Sequence, residues 1–182
     1  MSRSGTRTWP STDASGAHPP RPRCTRRRWL AALLLASLPE LASGAGAPIQ
    51  IAVIVGPQTR LTNISMADLQ RVFGAEVVTD DDGTRLLPIN HPPRTADRAA
   101  FDRLVLGRDP DAVGRFWIDR RIRGGSGPPR TVDNVQALRR AVSGLPGAIS
   151  YLRTSLLTHD VQAIRVNGKL PGEPGYPLEY QP

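Results

Sequence analysis

The residues in this chain best suited to chemistry are those that could hold an anion. His91-Pro92-Pro93-Arg94-Thr95-Ala96-Asp97-Arg98 sets a hydroxyl and two arginines where a helix begins. A helix N-terminus offers unpaired N–H groups and a partial positive charge, so Thr95 reads as a hydroxyl donor and Arg98 as a charge partner for an anion. The loop Gly124 to Pro129 is a second such place. There Gly125, Ser126 and Gly127 can present backbone amides and a hydroxyl. Taken singly, each element also has an ordinary reading: Thr95 as a helix cap, Arg98 as surface charge, the glycines as a chain turn.

Catalytic arrangements fare worse. Gly124-Gly125-Ser126-Gly127-Pro128 resembles a nucleophile elbow, but Pro128 stands where the second glycine belongs, and no strand pattern precedes Ser126. A triad needs a histidine oriented by a carboxylate. His159 and Asp160 are adjacent, which points their side chains apart on a strand. The acidic run Asp80-Asp81-Asp82 lacks the alternating oxygen ligands and distal Glu of a calcium loop, and reads as a solvated hairpin tip. The expectation is a non-enzyme with no metal and no cofactor.

The N-terminus limits what else the chain can use. Arg26-Arg27-Arg28 precedes the uncharged run Trp29 to Leu38, and small residues follow from Ala42 to Ala47. This is the layout of a secretory signal peptide, with a cut expected after Gly44 and Ala42 at −3. The arginines also permit a twin-arginine route. Residues 1–25 are either a long, disordered basic n-region or sequence ahead of a downstream start. The mature protein is therefore expected to be periplasmic, with no membrane span. Cys24 leaves with the leader, and His91 and His159 are the only histidines after it. Disulfides, thiol nucleophiles and cysteine metal sites are thereby excluded from the mature part. Residues 1–44 hold seven of the 24 basic and two of the 16 acidic residues, so the net charge of +8 falls to +3 beyond them. The remaining arginines alternate with aspartates, as at Asp97-Arg98, Asp102-Arg103 and Arg108-Asp109. That mixture is a solvated surface and argues against nucleic acid as a partner.

The elements that must position the anion contacts follow from pattern. Ile49 to Val55 is a near-continuous apolar run, as in a strand covered on both faces. Ser65 caps a helix with Met66, Leu69, Val72 and Phe73 on one face, ending at Gly74. Arg85 to Asn90 is a strand whose Pro88 places it at an edge or end. Thr95 begins a helix with Phe101, Leu104 and Val105 inward, closed by Gly107. Asp109-Pro110 begins another, with Val113, Phe116, Trp117 and Arg120 on one side and the aromatic pair in the core. Asp133 is expected to cap a fourth helix, with Val135, Leu138 and Val142 inward. Strands at Ala148–Leu152 and Val161–Val166 follow, and the last fourteen residues, with four prolines, read as an irregular tail. Alternating strands and helices predict an α/β domain with a mixed sheet and helices on both faces. The expected organisation is a signal peptide over 1–44, one domain over 45–167 and a Pro/Gly-rich tail over 168–182.

The order of these elements resembles the phosphate ABC transporter substrate-binding-like proteins, of the type 2 periplasmic solute-binding kind, and in particular their small single-lobe members. The residues that carry the resemblance are Ile51–Pro57, Ile64-Ser65-Met66-Ala67-Asp68-Leu69, Asp82-Gly83-Thr84, Phe116-Trp117, Gly125-Ser126-Gly127-Pro128-Pro129 and Pro146-Gly147-Ala148-Ile149-Ser150-Tyr151. The resemblance implies a three-layer lobe and a non-enzymatic role in uptake or sensing. Phosphate or another small anion would be the ligand, and an envelope or ABC transporter protein the partner. It also implies a contrast. The phosphate binders carry Ser-Gly-Thr-Arg where this chain has Thr95-Ala96-Asp97-Arg98. Ala96 hinders close backbone approach, and Asp97 puts a carboxylate where a donor belongs. A protein-interaction module that kept the fold and lost the ligand is the alternative.

Overall fold

The computed structural model describes residues 47–181, and the signal peptide, Cys24 and the cleavage zone through Gly46 lie outside them. The element order is β1 (Ile49–Val55), β2 (Asn63–Ile64), α1 (Met66–Phe73), β3 (Leu87–Asn90), α2 (Ala96–Phe101), α3 (Pro110–Ile122), β4 (Arg130–Thr131), α4 (Val135–Gly144), β5 (Ala148–Arg153), β6 (Gln162–Ala163), β7 (Arg165–Val166) and β8 (Glu179–Tyr180). One mixed sheet runs β4-β3-β5-β1-β6, with β8 also on β1, and β2 pairs β7 separately. β3 lies parallel to β4 and β5, whereas β1 and β5 are antiparallel.

The period of two in β1 and β5 builds two apolar layers. Val53 pairs with Tyr151 and Ala52 with Leu152, so facing residues share a side of the sheet. Ile51, Val53, Val55, Ile149 and Tyr151 pack with Leu69, Phe73 and Phe101 of α1 and α2. Ala52, Ile54, Ala148 and Leu152 pack with Leu138 and Val142 of α4. Helices therefore cover both faces, and the α/β expectation holds. Both layers are built within Gly44–Pro182, which is a compact unit in its own right.

The helix starts follow their caps. Ser65 Oγ accepts from Asp68 N at 3.0 Å, and Asp109 Oδ1 from Ala112 N at 2.7 Å. Gly107, at φ 63°, closes the turn after α2. Pro88 sits near the start of β3, one residue before β4 joins on the other side.

Five expectations are corrected. Asn134, not Asp133, caps α4, its Oδ1 accepting from Ala137 N at 2.8 Å. The segment after Phe101 is a π-helical turn, Asp102–Leu106, not a continued α-helix. Phe116 is only half-buried, lying under the Arg108 guanidinium at 4.4 Å, while Trp117 is buried. The run Val161–Val166 splits, because Ile164 N bonds Val53 O of β1 while Arg165 N bonds Thr62 O, just ahead of β2. The C-terminal segment is not a loose tail. Leu178 and Tyr176 are in the core, Ile51 N bonds Leu178 O at 2.9 Å, and the Tyr176 hydroxyl donates to Ile51 O at 2.8 Å.

Candidate anion-binding site

Tyr151 is the side chain around which the site is built. Its ring stacks on Phe101 at 3.6 Å and its hydroxyl donates to Asn90 Oδ1 at 2.9 Å. Its carbonyl takes the His91 Nε2 bond at 2.8 Å. Strand β5 thus fixes the end of β3 and the turn that leads into α2. Burial holds the His91 imidazole below its ordinary pKa, against the opposing pull of the Tyr151 carbonyl.

From there the chain makes a tight turn. Thr95 N reaches Pro92 O at 3.4 Å, and Arg94 stands at the third position with φ 70°. Thr95 caps α2, accepting from Arg98 N at 3.4 Å, and its hydroxyl donates to Pro92 O at 3.0 Å. The Thr95 cap is as expected, and the hydroxyl is spent locally.

Arg98 differs from expectation. It is buried, not a surface charge. Its Nε donates to Asp102 Oδ2 at 2.6 Å and its Nη1 to His91 O at 3.4 Å. The two side chains are 10% and 4% exposed. Burial raises the Asp102 pKa, while Arg98 opposes the rise. Asp97 turns away, its carboxylate ion-paired to Arg153 and taking the Tyr180 hydroxyl bond at 3.3 Å. It therefore does not present bare charge to a ligand.

Arg98 and Asp102 form part of the wall of a half-open cavity of about 600 Å³ between α2 and α3. Arg94, Arg115 and Asp111 are also in this wall, with Val113, Trp117, Ile118 and Pro128 supplying apolar surface. Trp117 Nε1 is buried without an acceptor among the described residues.

The glycine loop does not share this cavity. Ser126 and Gly127 line another, of about 350 Å³, with Glu76, Arg85 and Leu145, and only Pro128 borders both. Gly125 N donates to Arg120 O at 2.9 Å, and Ser126 Oγ to Ala75 O at 3.1 Å. The two predicted halves of the site, Thr95 with Arg98 and Gly125 to Gly127, are thus not brought together. Ser126 addresses a carbonyl rather than an imidazole. Sequence reasoning missed Asp102, although its i,i+4 spacing from Arg98 was a signal. It also missed Arg115, which nothing in the sequence distinguishes from its neighbours.

Among the described residues no group of three or more His, Cys, Asp or Glu could hold a metal, and no helix is long and apolar enough to cross a membrane. No family model and no curated protein matches the chain by sequence. Solved structures do. An ABC-type phosphate transport receptor of Vibrio cholerae matches at TM-score 0.57 and 14% identity over 72% of this chain and 54% of its own. PstS of Borrelia burgdorferi matches at 0.58 and 14% over 74% and 55%. A Clostridium perfringens protein with bound phosphate matches at 0.59 and 14% over 74% and 54%. The chain spans about half the length of these proteins. These neighbours share their fold with this chain, an α/β lobe with one mixed sheet covered by helices on both faces.

Proposed function

We propose that this chain is an exported, non-enzymatic solute-binding-like protein that takes a small anion such as phosphate weakly, in an uptake or sensing role beside an envelope or ABC transporter protein. The observation that carries the reading is the cavity between α2 and α3, with three arginines in its wall on a fold shared with phosphate receptors. Arg98 sits at its base, and Arg94 and Arg115 join no ion pair among the described residues.

The same geometry makes the binding weak. Two of the three Arg98 guanidinium nitrogens are already engaged, and Asp102 beside it repels an oxyanion. Charged hydrogen bonds gain strength when water is excluded, which a half-open cavity does poorly. Of the contacts expected from sequence only Arg98 lines this cavity: the Thr95 hydroxyl is committed to Pro92 O, and Thr95, Gly125, Ser126 and Gly127 drop out of the proposed site.

The test is the melting temperature of residues 45–182 against phosphate and sulfate, at constant ionic strength with chloride. A ligand of the native state raises it by mass action. The reading expects a rise at millimolar anion that Arg115→Glu abolishes. No rise with either anion would remove the anion-binding role.

A second reading has its own observation. Ile118 and Ile122 on α3 are 63% and 80% exposed, and border an apolar hollow with Trp117 and Pro128. A ligand-free module that uses α3 to contact an envelope protein accounts for that face.

A further inference from the structure

The cavity between α2 and α3 has the wrong lining for phosphate as its best ligand. A small, fully hydrated dianion needs several uncommitted donors. Here the apolar wall is far larger than the polar one, and the most buried cation, Arg98, is neutralised by Asp102. Ligand sites of this size hold organic molecules whose apolar bodies are buried and whose few polar groups are fixed by placed side chains.

We propose that this cavity binds an organic carboxylate with an apolar body in preference to phosphate, an inference that rests on the anion-binding reading above. The apolar body lies against Val113, Trp117, Ile118 and Pro128, and the carboxylate lies at the rim with Arg94 and Arg115. One negative charge suits the balance there. With Arg98 and Asp102 cancelling, two rim arginines face the single carboxylate of Asp111.

Arg94 supplies a second, independent observation. It occupies the third position of the Pro92–Thr95 turn at φ 70°, a backbone state that glycine fills without strain and arginine does not. The turn itself would be better served by glycine. A guanidinium held there at a conformational cost, at the rim of a cavity, fits a role in binding.

Octanoate, octan-1-ol and inorganic phosphate are the probes. Beyond residue 44 the only tryptophan is Trp117, so its emission reports the cavity wall directly in residues 45–182. The proposal expects octanoate to shift Trp117 emission and raise the melting temperature at concentrations about tenfold below those phosphate needs. Octan-1-ol binds more weakly than octanoate. Arg94→Gly leaves the melting temperature of the free protein unchanged or raised, yet weakens octanoate by about tenfold and octan-1-ol hardly at all. Phosphate binding as tightly as octanoate overturns this inference and leaves the anion-binding reading standing. Octanoate and octan-1-ol binding equally overturns the carboxylate assignment. No response to any of the three overturns both readings.

Discussion

Arg98 Nε lies 2.6 Å from Asp102 Oδ2, one helical turn apart, with both side chains almost wholly out of water. The pair sits where α2 gives way to the π-helical turn. It turns the chain's best-placed cation from a free ligand for anions into a structural group. Removing one partner leaves a buried charge unmatched, whereas removing both does not. Asp102→Ala is expected to lose roughly 3–5 kcal/mol in urea unfolding, and Arg98→Met with Asp102→Leu markedly less. A double-variant loss equal to the sum of the losses of Arg98→Met and Asp102→Leu taken singly would mean that the pair is not coupled.

His91 makes a pH prediction. Burial holds its folded pKa below the ordinary 6.5, so the unfolded chain takes up the proton first. The stability contributed by neutral His91 is fully present above that value and is lost as pH falls from it towards the folded pKa. Asp102 works the other way. Its raised pKa is a cost that develops as pH climbs from 3.8 and is relieved on acidification. The difference between wild type and His91→Gln isolates the histidine. Between about pH 7 and about pH 5, the wild-type melting temperature should fall more steeply than the variant's. Parallel curves would exclude His91 as a source of acid sensitivity.

Gly147 and Gly83 separate two effects of a methyl group. Both have positive φ, 75° and 80°. A Cβ on Gly147 would meet Arg85 O at 2.2 Å, whereas one on Gly83 meets nothing within 4 Å. Gly83→Ala should cost only the strain of the left-handed backbone, about 1 kcal/mol. Gly147→Ala must also break the contact that seats β5 beside β3, and should cost well over twice as much in chemical denaturation.

The C-terminal segment belongs to the core. Leu178 is fully buried and Tyr180 reaches Asp97. Leu178→Ala is expected to destabilise by roughly 2–5 kcal/mol, measured by denaturant unfolding. A change within error would return residues 168–181 to the status of a tail.

The long, strongly patterned pieces were readable in the sequence because their signals are local. The apolar run of β1, the Ser65 cap, Gly107 and Asp109-Pro110 each specify structure within a few residues. The two-residue strands β2, β4, β6, β7 and β8 are too short to show a period; β4, β6 and β8 form against partners in the main sheet, and β2 and β7 form against each other. The C-terminal segment misled for a related reason. Its prolines and glycines indicate irregular backbone correctly, but Tyr176 and Leu178 are anchors whose burial depends on a strand about 125 residues away. Of the site, the Thr95 cap was legible. The burial of Arg98 was not legible, since it depends on the tertiary placement of its partners Asp102 and the His91 carbonyl. The separation of Ser126 from Arg98 is a tertiary fact with no sequence counterpart.

Weak binding of a small anion between α2 and α3, and not at the glycine loop, can be read from amide chemical shifts of residues 45–182 as phosphate is raised to tens of millimolar. Binding in this cavity gives gradual, saturable shifts at Arg94, Arg98, Gly114 and Arg115, with Ser126 and Gly127 unmoved. Shifts confined to Gly125–Gly127, or none anywhere, would contradict it.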